Sequence, residues 1–107
     1  MDSVASQSIG PFNVHLKGLG KDGKGNREIE LIAQAQEPAN IEFYSWDFNF
    51  DKEKGFKPSV IIDKEGKQTL TLKTGIHCIT VKVVDNDGLE NTESFQLKIN
   101  GGVKKVK

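Results

Sequence analysis

The run Gly75-Ile-His-Cys-Ile-Thr-Val-Lys-Val-Val-Asp-Asn-Asp-Gly88 constrains this chain more than any other stretch. Ile79, Val81 and Val83 alternate with Thr80 and Lys82, the period of two that lays one strand face on a core and turns the other outward. Asp85-Asn86-Asp87-Gly88 then forms a sharp turn, and Phe95, Leu97 and Ile99 alternate again beyond it. The unit predicts strand, turn and strand on the edge of a sandwich. It contains no catalytic signature.

Length sets the scale of the core. The 107 residues are read as one domain, and a chain of this size buries roughly 60–70% of the surface it exposes when unfolded. Eleven glycines point to many turns. Fifteen Lys and Arg balance fifteen Asp and Glu, so no overall field draws the chain to nucleic acid or anionic lipid. Cys78 is the single cysteine, which rules out an internal disulfide and a disulfide-stapled secreted scaffold. The first residues lack the basic lead and apolar run of a signal peptide, and nothing approaches the ~20 apolar residues of a membrane span. A soluble domain is expected, monomeric in isolation, with linker-like ends that suit a piece of a larger polypeptide.

Along the chain, residues 1–10 read as a loose N-terminal segment, 11–100 as the folded domain and 101–107 as a basic tail. Phe12, Val14 and Leu16 mark a first strand, and Ile29, Leu31, Ala33 and Ala35 a second. Helix is the rival for the second, given its Glu, Leu, Ala and Gln; the alternation and the Gly-rich entry favour strand. Tyr44, Trp46, Phe48 and Phe50 alternate within 41–50, and aromatic side chains bury about 150–250 Å2 each, so this is the expected central strand. Val60-Ile-Ile62 and Thr69-Leu-Thr-Leu72 add two short strands around Asp63-Lys-Glu-Gly66. With the final pair the total is seven, the number of an antiparallel immunoglobulin-like sandwich, with turn signals at roughly 8–12 residue spacing. The expected core centres on Trp46, Phe48, Ile79, Val81, Val83, Phe95 and Leu97.

Four groups of residues invite a chemical reading. Gly18-Leu-Gly20-Lys-Asp-Gly23 fits the dinucleotide fingerprint, but that site needs a helix next, whose N–H groups hold the pyrophosphate. A strand follows here, which makes this a hairpin loop. His77 and Cys78 are neighbours on a strand and therefore point to opposite faces, so they cannot act as base and nucleophile together. One cysteine and two distant histidines do not make a zinc site. Asp85 and Asp87 could supply ligands to calcium, which takes about six to eight oxygens. An EF-hand would place Glu where Gln96 stands, and Asp, Asn and Gly are also the commonest turn formers. Lys17, Lys21, Lys24 and Arg27 form a local basic cluster that could touch phosphate, DNA or an acidic surface, or serve only as a solvated loop. Lys104, Lys105 and Lys107 read as a solvated tail.

Tyr44-Ser-Trp-Asp-Phe48 followed by Gly75-Ile-His-Cys-Ile-Thr-Val-Lys-Val-Val-Asp-Asn-Asp-Gly88 resembles the PKD (polycystic kidney disease) domain over roughly residues 10–100. That family's pattern is aromatic-x-Trp-x-Phe, then Gly-x-Tyr-x-Val, then Asp-x-x-Gly. Three positions depart from it. Asn49-Phe50-Asp51 replaces Gly-Asp-Gly, and His77 replaces the tyrosine, so a corner hydrogen bond must be made by imidazole or lost. Glu37-Pro38-Ala39-Asn40 stands where some members carry calcium-binding acids, leaving Glu37, Asp85 and Asp87 as the candidate ligands.

The resemblance implies an immunoglobulin-like sandwich without catalytic residues or a cofactor other than calcium. It also implies attachment to a larger protein as a spacer or as a protein- or carbohydrate-contacting surface, often outside the cell. Trp46-Asp-Phe-Asn-Phe-Asp51, Phe56-Lys-Pro58 and Val81–Glu90 are also similar to a β-rich segment near the C-terminus of bacterial adenine-specific DNA methyltransferases. That second resemblance implies an accessory domain of a restriction–modification enzyme, acting in the cytoplasm. None of the methyltransferase's catalytic or cofactor motifs occurs here. The combined expectation is a non-catalytic accessory or interaction module of a larger bacterial protein.

Overall fold

In the computed structural model, residues 12–21, 26–35, 38–100 and 102–106 are described. They form β1 (Phe12–Lys21), β2 (Arg27–Ala35), β3 (Ile41–Asp47), β4 (Val60–Asp63), β5 (Lys67–Leu72), β6 (Gly75–Asp85), β7 (Glu90–Ile99) and β8 (Val103–Val106), with one turn of 3-10 helix at Pro38–Asn40. All pairings are antiparallel, in a three-stranded sheet ordered β1-β2-β5 and a five-stranded sheet ordered β4-β3-β6-β7-β8. The all-β sandwich matches expectation, but the described residues form eight strands instead of seven, because residues read as a basic tail pair with β7 as β8.

That extra strand also corrects the position of the β6–β7 unit. β6 lies between β3 and β7, and β7 between β6 and β8, so the pair is interior and the sheet edges belong to β4 and β8. Inward side chains follow the period of two: Ile29, Leu31 and Ala33 from β2 meet Ile79, Val81 and Val83 from β6, with Trp46 and Leu97 fully buried beside them. Phe48 packs against this core as a half-buried residue, its ring 6.1 Å from that of Trp46. The aromatic strand is shorter than expected. It ends at Asp47, and Phe50 lies in the connection that follows instead of sharing the face of Trp46.

β4 and β5, consecutive in sequence, lie in different sheets, so Asp63–Gly66 is the corner that carries the chain across the sandwich. One carboxylate organises it. Asp63 Oδ1 accepts hydrogen bonds from the N–H groups of Glu65 (2.9 Å) and Gly66 (3.0 Å), and Oδ2 accepts from Trp46 Nε1 (3.0 Å) and Gln68 Nε2 (3.0 Å). Gly66 closes the corner at φ +78° with its carbonyl accepting from Ala33 N–H at 2.7 Å. A Cβ there would lie 2.9 Å from both Ala33 O and Tyr44 Cε1, so glycine is required by space as well as by backbone conformation.

The connection from β3 to β4, residues 48–59, folds back over the outer face of the five-stranded sheet. Asp47 holds it at both ends: Oδ1 accepts from Asn49 N–H at 3.0 Å and Oδ2 from Lys57 N–H at 2.8 Å. Phe56 sits under Lys82, whose Nζ is 4.8 Å from the ring centroid. Ser45, Asp47 and Thr80 are consequently buried although they face away from the core. Their polar atoms are satisfied, as burial demands: Ser45 Oγ donates to Ile61 O, and Thr80 Oγ1 shares a hydrogen bond with Ser94 Oγ.

Candidate functional site

Turn geometry accounts for Asp85, the first of the acids that sequence made conspicuous. Asp85 Oδ1 accepts from Asp87 N–H and Leu89 N–H, both at 2.9 Å, while Gly88 takes φ +84°. This is the local side-chain-to-backbone bonding that makes Asp a turn former. Asp87 is exposed. Glu37, the third calcium candidate, lies outside the described residues. Among the described residues, no group of three or more His, Cys, Asp or Glu is arranged to hold a metal ion.

Among the described residues, Lys17 and Arg27 of the basic cluster lie on opposite faces of their sheet. Lys17 is the cross-strand partner of Glu30 on the outer face of the three-stranded sheet. Lys21 pairs with Arg27, and Arg27 belongs to the inward-facing row of Ile29 and Leu31. Lys24 lies outside the described residues. The Gly18–Lys21 stretch of the dinucleotide-like motif is the end of β1, with a register shift between Gly18 and Gly20, and β2 follows it.

His77 and Cys78 point apart, as their adjacency on β6 requires. His77 Nε2 bonds the backbone carbonyl of Lys73 at 2.8 Å. A carbonyl only accepts, so this nitrogen carries the proton. The imidazole therefore ties the start of β6 to the turn that precedes it. Cys78 faces the other way, and its Sγ lies 3.6 Å from Gln96 Nε2.

Cys78 faces an open groove of about 510 Å3 on the outer face of the five-stranded sheet. Phe50, Asp51 and Lys52 from the β3–β4 connection form one wall; Cys78 and Ile79 of β6 and Ser94, Phe95 and Gln96 of β7 complete it. Its size and mixture of apolar and polar groups suit a binding site. Phe50 is held there by its own N–H, which donates to Cys78 O at 3.0 Å. Sequence reasoning missed the groove, because its walls come from segments far apart in the chain. The signal that was present is the outward row of β7, Ser94, Gln96 and Lys98, opposite Thr80, Cys78 and Ile76 of β6.

Two ionisable groups at the corner are shifted by their surroundings. Burial pushes the Asp63 carboxyl up, but the hydrogen bonds from Gln68, Glu65 N–H, Trp46 and Gly66 N–H outweigh it and hold its pKa below the ordinary 3.8. Burial, and then the neighbouring Asp63 charge, raise the Tyr44 phenol above its ordinary 10.0, against an opposing backbone hydrogen bond at Ala35. Both groups are locked in structural bonds. No helix among the described residues is long and apolar enough to cross a membrane. Compared with models of known families and with curated proteins, the chain finds no match in either.

Proposed function

We propose that this domain is a non-catalytic β-sandwich module of a larger bacterial protein, a scaffold that holds a partner surface, with protein ahead of carbohydrate. One observation carries the reading: the open groove walled by Phe50 and floored by Cys78 and Gln96 lies beside exposed Ile76 and Val106 on a sheet face that the core does not use. Exposed apolar surface rimmed by polar residues marks interaction sites. The PKD-like Trp46 and Gly75–Gly88 motifs support the same class of module.

The test is deletion of residues 12–106 from the parent protein. The reading expects unchanged turnover of any catalytic domain, together with lost attachment to its partner. Lost turnover with attachment intact would overturn it. The parent reading frame sharpens the test: a signal peptide with neighbouring sandwich repeats favours a surface module, and an adenine methyltransferase domain favours an accessory role in DNA modification. Contact with DNA through Lys17, Lys21, Lys24 and Arg27 draws no support from the described residues, since Lys17 and Arg27 face opposite sides of their sheet.

A further inference from the structure

Lys98 of β7 and Lys104 of β8 are direct cross-strand partners, and both are exposed. Like charges placed opposite each other cost stability. Among the described residues, neither forms an ion pair. Lysine on an edge strand discourages unwanted sheet pairing, which accounts for Lys104. It does not account for Lys98, because β7 is an interior strand.

The surroundings of this pair are apolar. Ile76, the partner of Lys98 on its other side, is 63% exposed. In the next row Cys78 pairs with Gln96 and Gln96 with Val106, which is 37% exposed. That row opens into the groove, where Lys52 stands on the far wall. The face thus offers aliphatic surface and a groove between two lysines on one side and a third on the other.

Resting on the interaction-module reading, we propose that this face docks an acidic, extended segment of a partner protein. Its carboxylates would meet Lys98 and Lys104, and its apolar side chains would cover Ile76 and Val106 and enter the groove beside Phe50. Charge complementarity selects the partner: the adjacent lysines, with no ion pair among the described residues, call for an anion, and the aliphatic surface beside them calls for side chains that bury it. A nucleic acid would set phosphates against Ile76, Val106 and Asp51, so the face fits an acidic peptide better.

The probe is the acetylated hexapeptide Glu-Leu-Glu-Leu-Glu-Leu, titrated at low salt into the 15N-labelled chain and followed by amide chemical shifts. Its glutamine counterpart and a short DNA duplex are run in parallel. The expected result is shifts confined to Ile76, Cys78, Gln96, Lys98 and Lys104, with binding about tenfold weaker in the K98E/K104E double variant and weakened by salt. K17E, on the other sheet, should leave binding unchanged, and Trp46 fluorescence confirms that each variant is folded. Equal binding of the glutamine peptide would overturn the acidic specificity while leaving the interaction-module reading in place. Shifts elsewhere, indifference to K98E/K104E, or DNA binding through the same lysines would overturn the proposal itself.

Discussion

Asp63 joins the two sheets through a single carboxylate that accepts from Trp46, Gln68 and two backbone N–H groups. Its pKa is lower in the fold than in the unfolded chain, so its stabilisation is present above the unfolded value and is lost as pH falls through the folded one. Urea unfolding should therefore show stability falling as pH drops through the region at and below 3.8. Asp63→Asn should flatten that dependence and cost about 1–3 kcal/mol at neutral pH by leaving buried donors unpaired. Tyr44 acts at the other end of the scale. Its raised folded pKa means that stability is full below 10.0 and declines as pH rises through the folded value, and Tyr44→Phe should remove that decline. Two substitutions test the packing around the corner. Trp46→Ala should cost about 3–5 kcal/mol as a large-to-small core change. Gly66→Ala should cost about 1–3 kcal/mol from left-handed strain alone, with the 2.9 Å approach to Ala33 O and Tyr44 Cε1 added to it. A thermal midpoint unmoved by either change would contradict the assignment of β3 and the corner.

At the scale of elements, Asp47 decides where β3 stops and where the chain turns back over the sheet. Asp47→Ala should free the 48–59 connection, seen as faster proteolytic cleavage within it; unchanged cleavage would mean that packing of Phe56 under Lys82 suffices. The same residue explains a limit of sequence reading. Trp46, Phe48 and Phe50 keep a strand's period, but Asp47 binds Asn49 N–H and Lys57 N–H and so ends the strand, and no local pattern announces a bond ten positions away. β8 was hidden for a different reason. Val103 faces the core while Lys105, two residues on, bonds Val14 O at 3.3 Å and lies 4.9 Å from the Phe95 ring. An inward lysine whose stem packs and whose charged end finds a carbonyl breaks the apolar alternation that marks a strand. Where alternation is unbroken, in β2, β6 and β7, sequence placed both strand and inward face correctly. The groove was illegible because it depends on the return of Phe50 to Cys78, a contact set by the whole fold.

For the whole molecule, two uses of charged residues separate. Asp47, Asp51, Asp63 and Asp85 place their carboxylates on backbone N–H groups at turns. Lys98 and Lys104 stabilise no such turn and stand side by side across β7 and β8, with Ile76 and Val106 beside them, which is why the outer face of β6, β7 and β8 is assigned to a partner. Cys78 reports on that face directly, since its thiol lines the groove and the chain has no other cysteine. The decisive measurement is its alkylation rate by N-ethylmaleimide with and without saturating Glu-Leu-Glu-Leu-Glu-Leu peptide. Binding at the face predicts slowed alkylation in the native chain and no slowing in K98E/K104E. An unchanged rate with bound peptide would contradict the assignment of this surface.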